Sequence, residues 1–215
     1  MTQRFILKWL IGFALAAGLT AGSAWAGAYE DFFRAIDIDN EAGVRELLGR
    51  GIDPNTRDEK GQHALFVALR GQSGKVFQLL LSQPATEVDA ANGVGETPLM
   101  MAALRADLPA MKALVARGAQ INRPGWTPLH YAASSPSPQP VRWLLEQGAV
   151  VDARAPNGNT ALMLAARYGH EASVDLLLAR GADRRLRNAL NDTAADSARR
   201  DGRDALGLRL ESGGR

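Results

Sequence analysis

Cysteine is absent from this 215-residue chain, and with it every disulfide and every thiolate metal site. Histidine is scarce: His63, His130 and His170 stand in three separate stretches, and no His-x-x-x-His spacing offers a zinc site. Aromatic residues are only 6% of the chain. No glycine-rich phosphate loop follows a strand, because Asn92-Gly93-Val94-Gly95 reads as a hairpin turn rather than a nucleotide cradle. Ser134 and Ser135 have no visible base. Asp and Glu recur singly at helix starts and outer faces, as solvated residues do. These absences remove the usual routes to catalysis, so the expectation is no enzyme, no cofactor and no metal.

What is present belongs to a folded chain, with 46% apolar and 22% charged residues. The first 26 residues stand apart. Arg4 and Lys8 give a positive start, Trp9 to Leu19 is apolar and uncharged, and Ala24-Trp25-Ala26 is a small-x-small cleavage site before Gly27. That layout predicts a secretory signal peptide over residues 1–26. The other reading is an uncleaved anchor, but the glycines and alanines here make a poor membrane span against the usual ~20 strongly apolar residues. No twin arginine is present, and without cysteine there is no lipoprotein anchor. The remaining chain is expected in a bacterial periplasm, off the membrane once the signal is removed.

Taking Arg4 and Lys8 from the 25 Lys and Arg leaves 23, equal to the 23 Asp and Glu, all of which follow residue 26. A formally neutral chain lacks the bulk charge of a nucleic-acid binder. The charge is unevenly placed. Residues 27–60 hold nine acidic and five basic side chains, and residues 180–215 hold nine basic and six acidic. Solvated outer faces on end units account for such a gradient; the alternative is a docking patch.

One period runs through the chain. An opening glycine recurs at Gly61, Gly95, Gly125 and Gly158, with Asn191 in the same place last, at intervals of 34, 30, 33 and 33. A closing residue recurs at Asn55, Asp89, Asn122, Asp152 and Arg185, at intervals of 34, 33, 30 and 33. Between markers lie two short helical patterns. In the most regular unit Thr160 caps the first, Gly169 is expected to stop it in a left-handed conformation, and the second runs through Val174 and Leu176 to a second stop at Gly181. Neither helix is long enough to stand alone.

Thr127-Pro128-Leu129-His130-Tyr131-Ala132-Ala133, Thr97-Pro98-Leu99-Met100-Met101-Ala102-Ala103 and Thr160-Ala161-Leu162-Met163-Leu164-Ala165-Ala166 repeat one motif, with His63-Ala64-Leu65-Phe66-Val67-Ala68 a weaker copy. With Gly118-Ala119 and Gly148-Ala149 leading into the turns, the chain resembles the ankyrin repeat family over roughly Tyr29 to Leu210. The resemblance implies an all-α solenoid of about six helix-turn-helix units with short β-hairpin loops and degenerate end caps. It also implies a monomer that binds another protein. The units fall near 29–60, 61–94, 95–124, 125–157, 158–190 and 191–211, within a domain of residues 27–211 and ahead of a frayed tail, 212–215. His130 matches the family's motif histidine, which ties Thr127 and neighbouring loops by hydrogen bonds. His63 stands where a cap threonine usually sits, as a surface or capping residue.

Three units depart from the pattern. The stretch Ser82 to Asp89 lacks the Gly-Ala pair and is one residue longer. The connection Asn122-Arg123-Pro124-Gly125 is three residues short, which predicts a stunted finger there. Ser134 to Pro140 carries three prolines that disfavour helix before Val141. In the family, hairpin tips and inner helix faces form the binding surface. By register that surface includes Gln62, Glu96, Trp126 and Asn159 after the opening residue, and Arg70, Arg105, Arg167 and Tyr168 at the inner helix ends. Trp126, with Arg167 and Tyr168, is the expected hot spot, unless the indole merely folds over the gap left by the short finger. Trp143 is expected in the core. The expected function is a non-catalytic interaction module that binds a partner protein through this surface as a scaffold, a protective partner or a toxin-neutralising protein; the alternative role is a structural envelope component that self-assembles or is anchored by an uncleaved N-terminus.

Overall fold

Short helices that cannot hold alone must be held by neighbours, and the computed structural model, which describes residues 27–213, is a row of such pairs. They are α1 (27–37) with α2 (Glu41–Gly49), α3 (Ala64–Gly71) with α4 (Gly74–Ser82), α5 (Pro98–Leu104) with α6 (Leu108–Ala116), α7 (Pro128–Ala133) with α8 (Gln139–Glu146), α9 (Ala161–Tyr168) with α10 (Glu171–Ala179), and α11 (Ala194–Arg199) with α12 (Asp204–Ser212). The expected signal peptide and residues 214–215 of the expected tail lie outside the described residues.

The inner helices α3, α5, α7, α9 and α11 stack side by side. Their small residues disappear completely: Ala68, Ala102, Ala103, Ala132, Ala133, Ala165 and Ala166 are all fully buried. The outer helices bury one face only, as with Val141 and Leu144 of α8 or Val174 and Leu177 of α10. Each buried leucine or valine contributes about 1.5–3 kcal/mol relative to exposure. Trp143 is half-buried against this core, as its position in α8 predicts.

Local chemistry sets the helix ends. Thr97, Thr160 and Thr193 accept the N–H of the third helical residue at 3.4, 3.4 and 3.2 Å. Gly118 closes α6 at φ 94°, and the next N–H, that of Ala119, reaches back to the Leu114 carbonyl. The stretch after α4 has no such glycine. There Thr86 Oγ1 donates to the Leu80 carbonyl at 2.5 Å, Gln83 Nε2 to Leu79 at 3.0 Å, and Arg117 of the next unit to Leu81 and Gln83. Side chains thus satisfy the carbonyls that backbone satisfies elsewhere.

Three local expectations are corrected. Gly169 is extended, at φ −89° and ψ −179°, so left-handedness is not why glycine stands there. A Cβ would lie 2.0 Å from the Ala133 carbonyl oxygen, and glycine is needed for close approach of two inner helices. Helix α8 begins at Gln139, not Val141, because Pro140 falls in the first turn, where its missing N–H costs nothing. The helix α12 also continues through Ser212, one residue into the expected tail.

The fingers are hydrogen-bonded turns. Asp58, Asn92 and Asn188 accept backbone N–H groups on both their carbonyl and their side-chain oxygen, folding the tips 58–61, 92–95 and 188–191. Ala155 makes the same backbone turn to Gly158. Among the described residues pairing reaches one isolated bridge, Arg57 to His63. The short connection after α6 is braced rather than open: Arg123 donates to the Gly95 carbonyl at 3.3 Å, and Gly125 adjoins Pro156 of the next finger.

Candidate protein-binding face

Four of the five closing residues turn out to be staples, and the fifth, Arg185, bonds Asp183 of its own turn. Asn55 accepts the Glu87 N–H at 2.8 Å, Asp89 that of Gln120 at 3.0 Å, Asn122 that of Val150 at 2.9 Å, and Asp152 that of Asp183 at 3.1 Å. Each ties one unit's turn to the next, which fixes the spacing of the fingers. Two buried imidazoles add to this. His63 accepts the Leu65 N–H on Nδ1 at 3.2 Å and lies 3.0 Å from Asn55 Oδ1 through Nε2. It is a capping residue, and fully buried rather than on the surface. His130 accepts the Thr127 N–H on Nδ1 at 3.1 Å, and its Nε2 lies 3.1 Å from the Asn159 carbonyl of the next unit.

Both rings sit in the neutral form, because each uses one nitrogen as an acceptor from backbone. Burial, with the Arg57 charge second, holds the His63 imidazole down at about 4. Burial also lowers His130, against the raising effect of its bonds to Asn159 and Ala153.

On this frame the register residues take individual positions. Gln62 accepts a hydrogen bond from Arg70 across the width of its unit, and the Arg70 carbonyl accepts from Arg105 of the next unit at 2.6 Å. Glu96 accepts from Tyr131 Oη at 3.0 Å and from Asn92 Nδ2 at 2.8 Å. Trp126 is half-buried and meets His130 and Tyr131 edge to face, with centroids 5.4 and 6.2 Å away. Asn159 Oδ1 accepts from Asn188 at 2.7 Å. The Arg167 guanidinium lies 4.8 Å from the ring centroid of Tyr168, which is 53% exposed.

The aromatic contacts of Trp126 therefore go to its own unit, and Arg167 and Tyr168 form a separate stacked pair. Tyr131 is the residue that sequence reasoning passed over. It occupies the variable place between His130 and Ala132 of the motif, and that position, on the inner helix beside Trp126, was the signal available. Burial and the Glu96 carboxylate push its phenol well above the usual value, so it stays a donor to Glu96. At the fingers, Val94 and Leu190 are 75% and 69% exposed at equivalent tip positions. A line of exposed or half-exposed apolar groups on finger tips and inner helix ends is suited to contact another surface, whereas an isolated one is not informative. Among the described residues no group of His, Asp and Glu is placed to hold a metal, and no helix is long and apolar enough to cross a membrane.

The family model described as Ankyrin repeats (3 copies) matches residues 32–124 and 122–188. The chain belongs to the ankyrin repeat family. Ankyrin repeats mediate protein–protein interaction, and the curated relatives share them within larger proteins. Ankyrin repeat and SAM domain-containing protein 6 of Rattus norvegicus is 36% identical over 117 residues, 53% of this chain and 13% of its own. The B-cell lymphoma 3 protein homolog of Mus musculus is 33% identical over 163 residues, 73% of this chain and 36% of its own. This ankyrin chain thus spans about an eighth of the first relative and about a third of the second. Among solved structures, it is similar to a chain of the Bd0816 predatory endopeptidase from Bdellovibrio bacteriovorus in complex with immunity protein Bd3460. That likeness has a TM-score of 0.71 and 27% identity, and covers 85% of this chain and 97% of that one.

Proposed function

We propose that this ankyrin protein is a non-catalytic module of the bacterial periplasm that binds and masks a partner protein, as a protective or toxin-neutralising factor. The observation that carries this reading is the likeness, over 97% of its length, to a chain from a complex of an endopeptidase with an immunity protein. Finger tips bearing Val94 and Leu190, with Trp126, Tyr131, Arg167 and Tyr168 along the inner face, supply the contact surface; Gln62, Arg70, Glu96, Arg105 and Asn159 brace it and border it. The compartment is supported by the signal-peptide pattern of residues 1–26.

The test is affinity capture from periplasmic extract, with wild type beside Trp126→Ala and Tyr168→Ala, followed by identification of captured proteins by mass. The expected result is one stoichiometric hydrolase whose activity falls on binding and whose capture weakens with Tyr168→Ala. Self-association with no partner, and an intact N-terminus in the purified protein, would overturn the reading in favour of an anchored structural component.

A further inference from the structure

The first unit presents a groove of about 430 Å³ between α1, the first finger and the inner face of α3. Its floor is apolar. Tyr29 and Phe33 meet edge to face with centroids 5.2 Å apart, beside Val67. Its rims are acidic on both sides, with Glu30 and Asp37 contributed by α1 and Asp58 and Glu59 by the finger.

Three basic residues share the lining with these four acidic ones, which leaves an excess of one negative charge. Arg34 is paired with Asp31 at 3.3 Å, and Arg70 is bonded to Gln62; Lys60 completes the set. The surrounding residues 27–60 carry nine acidic against five basic side chains. The Tyr29 phenol registers the field: burial and then Asp58 and Glu59 raise it above its usual value.

We propose that this groove takes an extended segment of the partner protein in which lysine or arginine alternates with apolar residues. The aromatic floor receives the apolar side chains and the stems of the cations, and the carboxylate rims receive the charged heads. An acidic segment would meet like charge from both sides, so the groove selects the sign of its occupant. The proposal rests on the partner-binding reading and adds the chemistry of what is bound.

The probe is an end-capped hexapeptide of alternating lysine and leucine, with its glutamate–leucine counterpart as control. Each is titrated into isotopically labelled protein and followed by backbone amide shifts. Only the lysine peptide is expected to move amides within residues 29–37 and 58–70. Its Kd should rise about fivefold between about 50 and about 300 mM salt. In the variant Glu30→Gln, Asp37→Asn, Glu59→Gln, which alters three exposed carboxylates, Kd should rise about tenfold with the unfolding midpoint unchanged. Shifts elsewhere, equal binding of the glutamate peptide, or an unchanged Kd in the variant would overturn the groove. The two ideas fail separately. Partner capture that survives the triple substitution overturns the groove alone, and lysine-peptide binding at the groove without any captured partner overturns the neutralising role alone.

Discussion

The two ends of the stack carry opposite charge excesses and use them in opposite ways. At the C-terminal end the arginines are rivets. Arg203 Nη1 donates to the carbonyls of Ala165, Ala166 and Gly169 at 3.0, 2.9 and 3.0 Å, closing the end of α9 from the next unit. Arg209 pairs with Asp175 at 2.6 Å, Arg199 with Glu211 at 2.6 Å, and Arg200 with Asp192 at 2.6 Å. At the N-terminal end the ion pairs are local and exposed, Arg34 with Asp31, Arg45 with Glu41 and Arg50 with Glu46. That unit is held instead by Phe32, Ile36 and Val44, all fully buried, and by Asp39, which accepts the Val76 N–H at 2.9 Å. The basic excess is consumed in structure; much of the acidic excess is left facing a groove. A charge count alone does not distinguish the two.

Substitutions can break or sharpen this contrast. Phe32→Ala should have the largest effect, about 4 kcal/mol lost in urea unfolding and little changed by salt, because the N-terminal unit depends on burial. Arg203→Ala should follow at about 3 kcal/mol, since three carbonyls lose a charged donor at once. Arg203→Lys should recover only part of that, because one ammonium cannot hold the three carbonyls and also meet Glu171, which Nη2 approaches at 3.7 Å. A loss under about 0.5 kcal/mol for Arg203→Ala would end the rivet interpretation.

Acid should separate the ends in order. The His63 imidazole is lowered to about 4 from 6.5, so the folded state binds fewer protons than the unfolded one between those values. Its contribution is fully present above about pH 6.5 and shrinks as pH falls towards 4, a loss of up to about 3 kcal/mol. Hydrogen exchange should show units one to three loosening in that window, and His63→Thr should remove that part of the slope while the share of His130, also lowered by burial, remains. At the other end Asp196 and Glu211 are lowered, Asp196 by its bonds to Thr193 and Glu211 by Arg199. Their contribution persists until pH falls below the ordinary carboxylate values. Smaller effects complete the series: Arg209→Ala should cost about 1 kcal/mol, less in high salt, and Arg45→Ala less than about 0.5 kcal/mol. Equal losses for these two would erase the distinction between inter-unit and local pairs.

Much of the site was legible by counting. Once the period is known, Gln62, Glu96, Trp126, Asn159 and the inner helix ends follow from register, because equivalent places in a stack meet equivalent surroundings. What register could not say was which of these residues are already engaged. Glu96 is occupied by Tyr131 and Asn92, and Arg105 by the Arg70 carbonyl, while Tyr168 remains open to solvent. Tyr131 and the Arg70 carbonyl each lie 35 residues away along the chain, in a neighbouring unit.

The sequence by itself determined the period, the helix pairs, the threonine and histidine caps and the shortened finger. These are local: they depend on residues within one turn or one motif, where spacing and side-chain chemistry are readable directly. Tertiary structure alone decided that Gly169 is demanded by the Ala133 carbonyl rather than by its own backbone, and that Asn55, Asp89, Asn122 and Asp152 staple one unit to the next. It also decided that Arg203 turns inward to carbonyls 34 to 38 residues away. Such contacts join groups brought close only when units stack, and no local pattern records which donor will meet which acceptor.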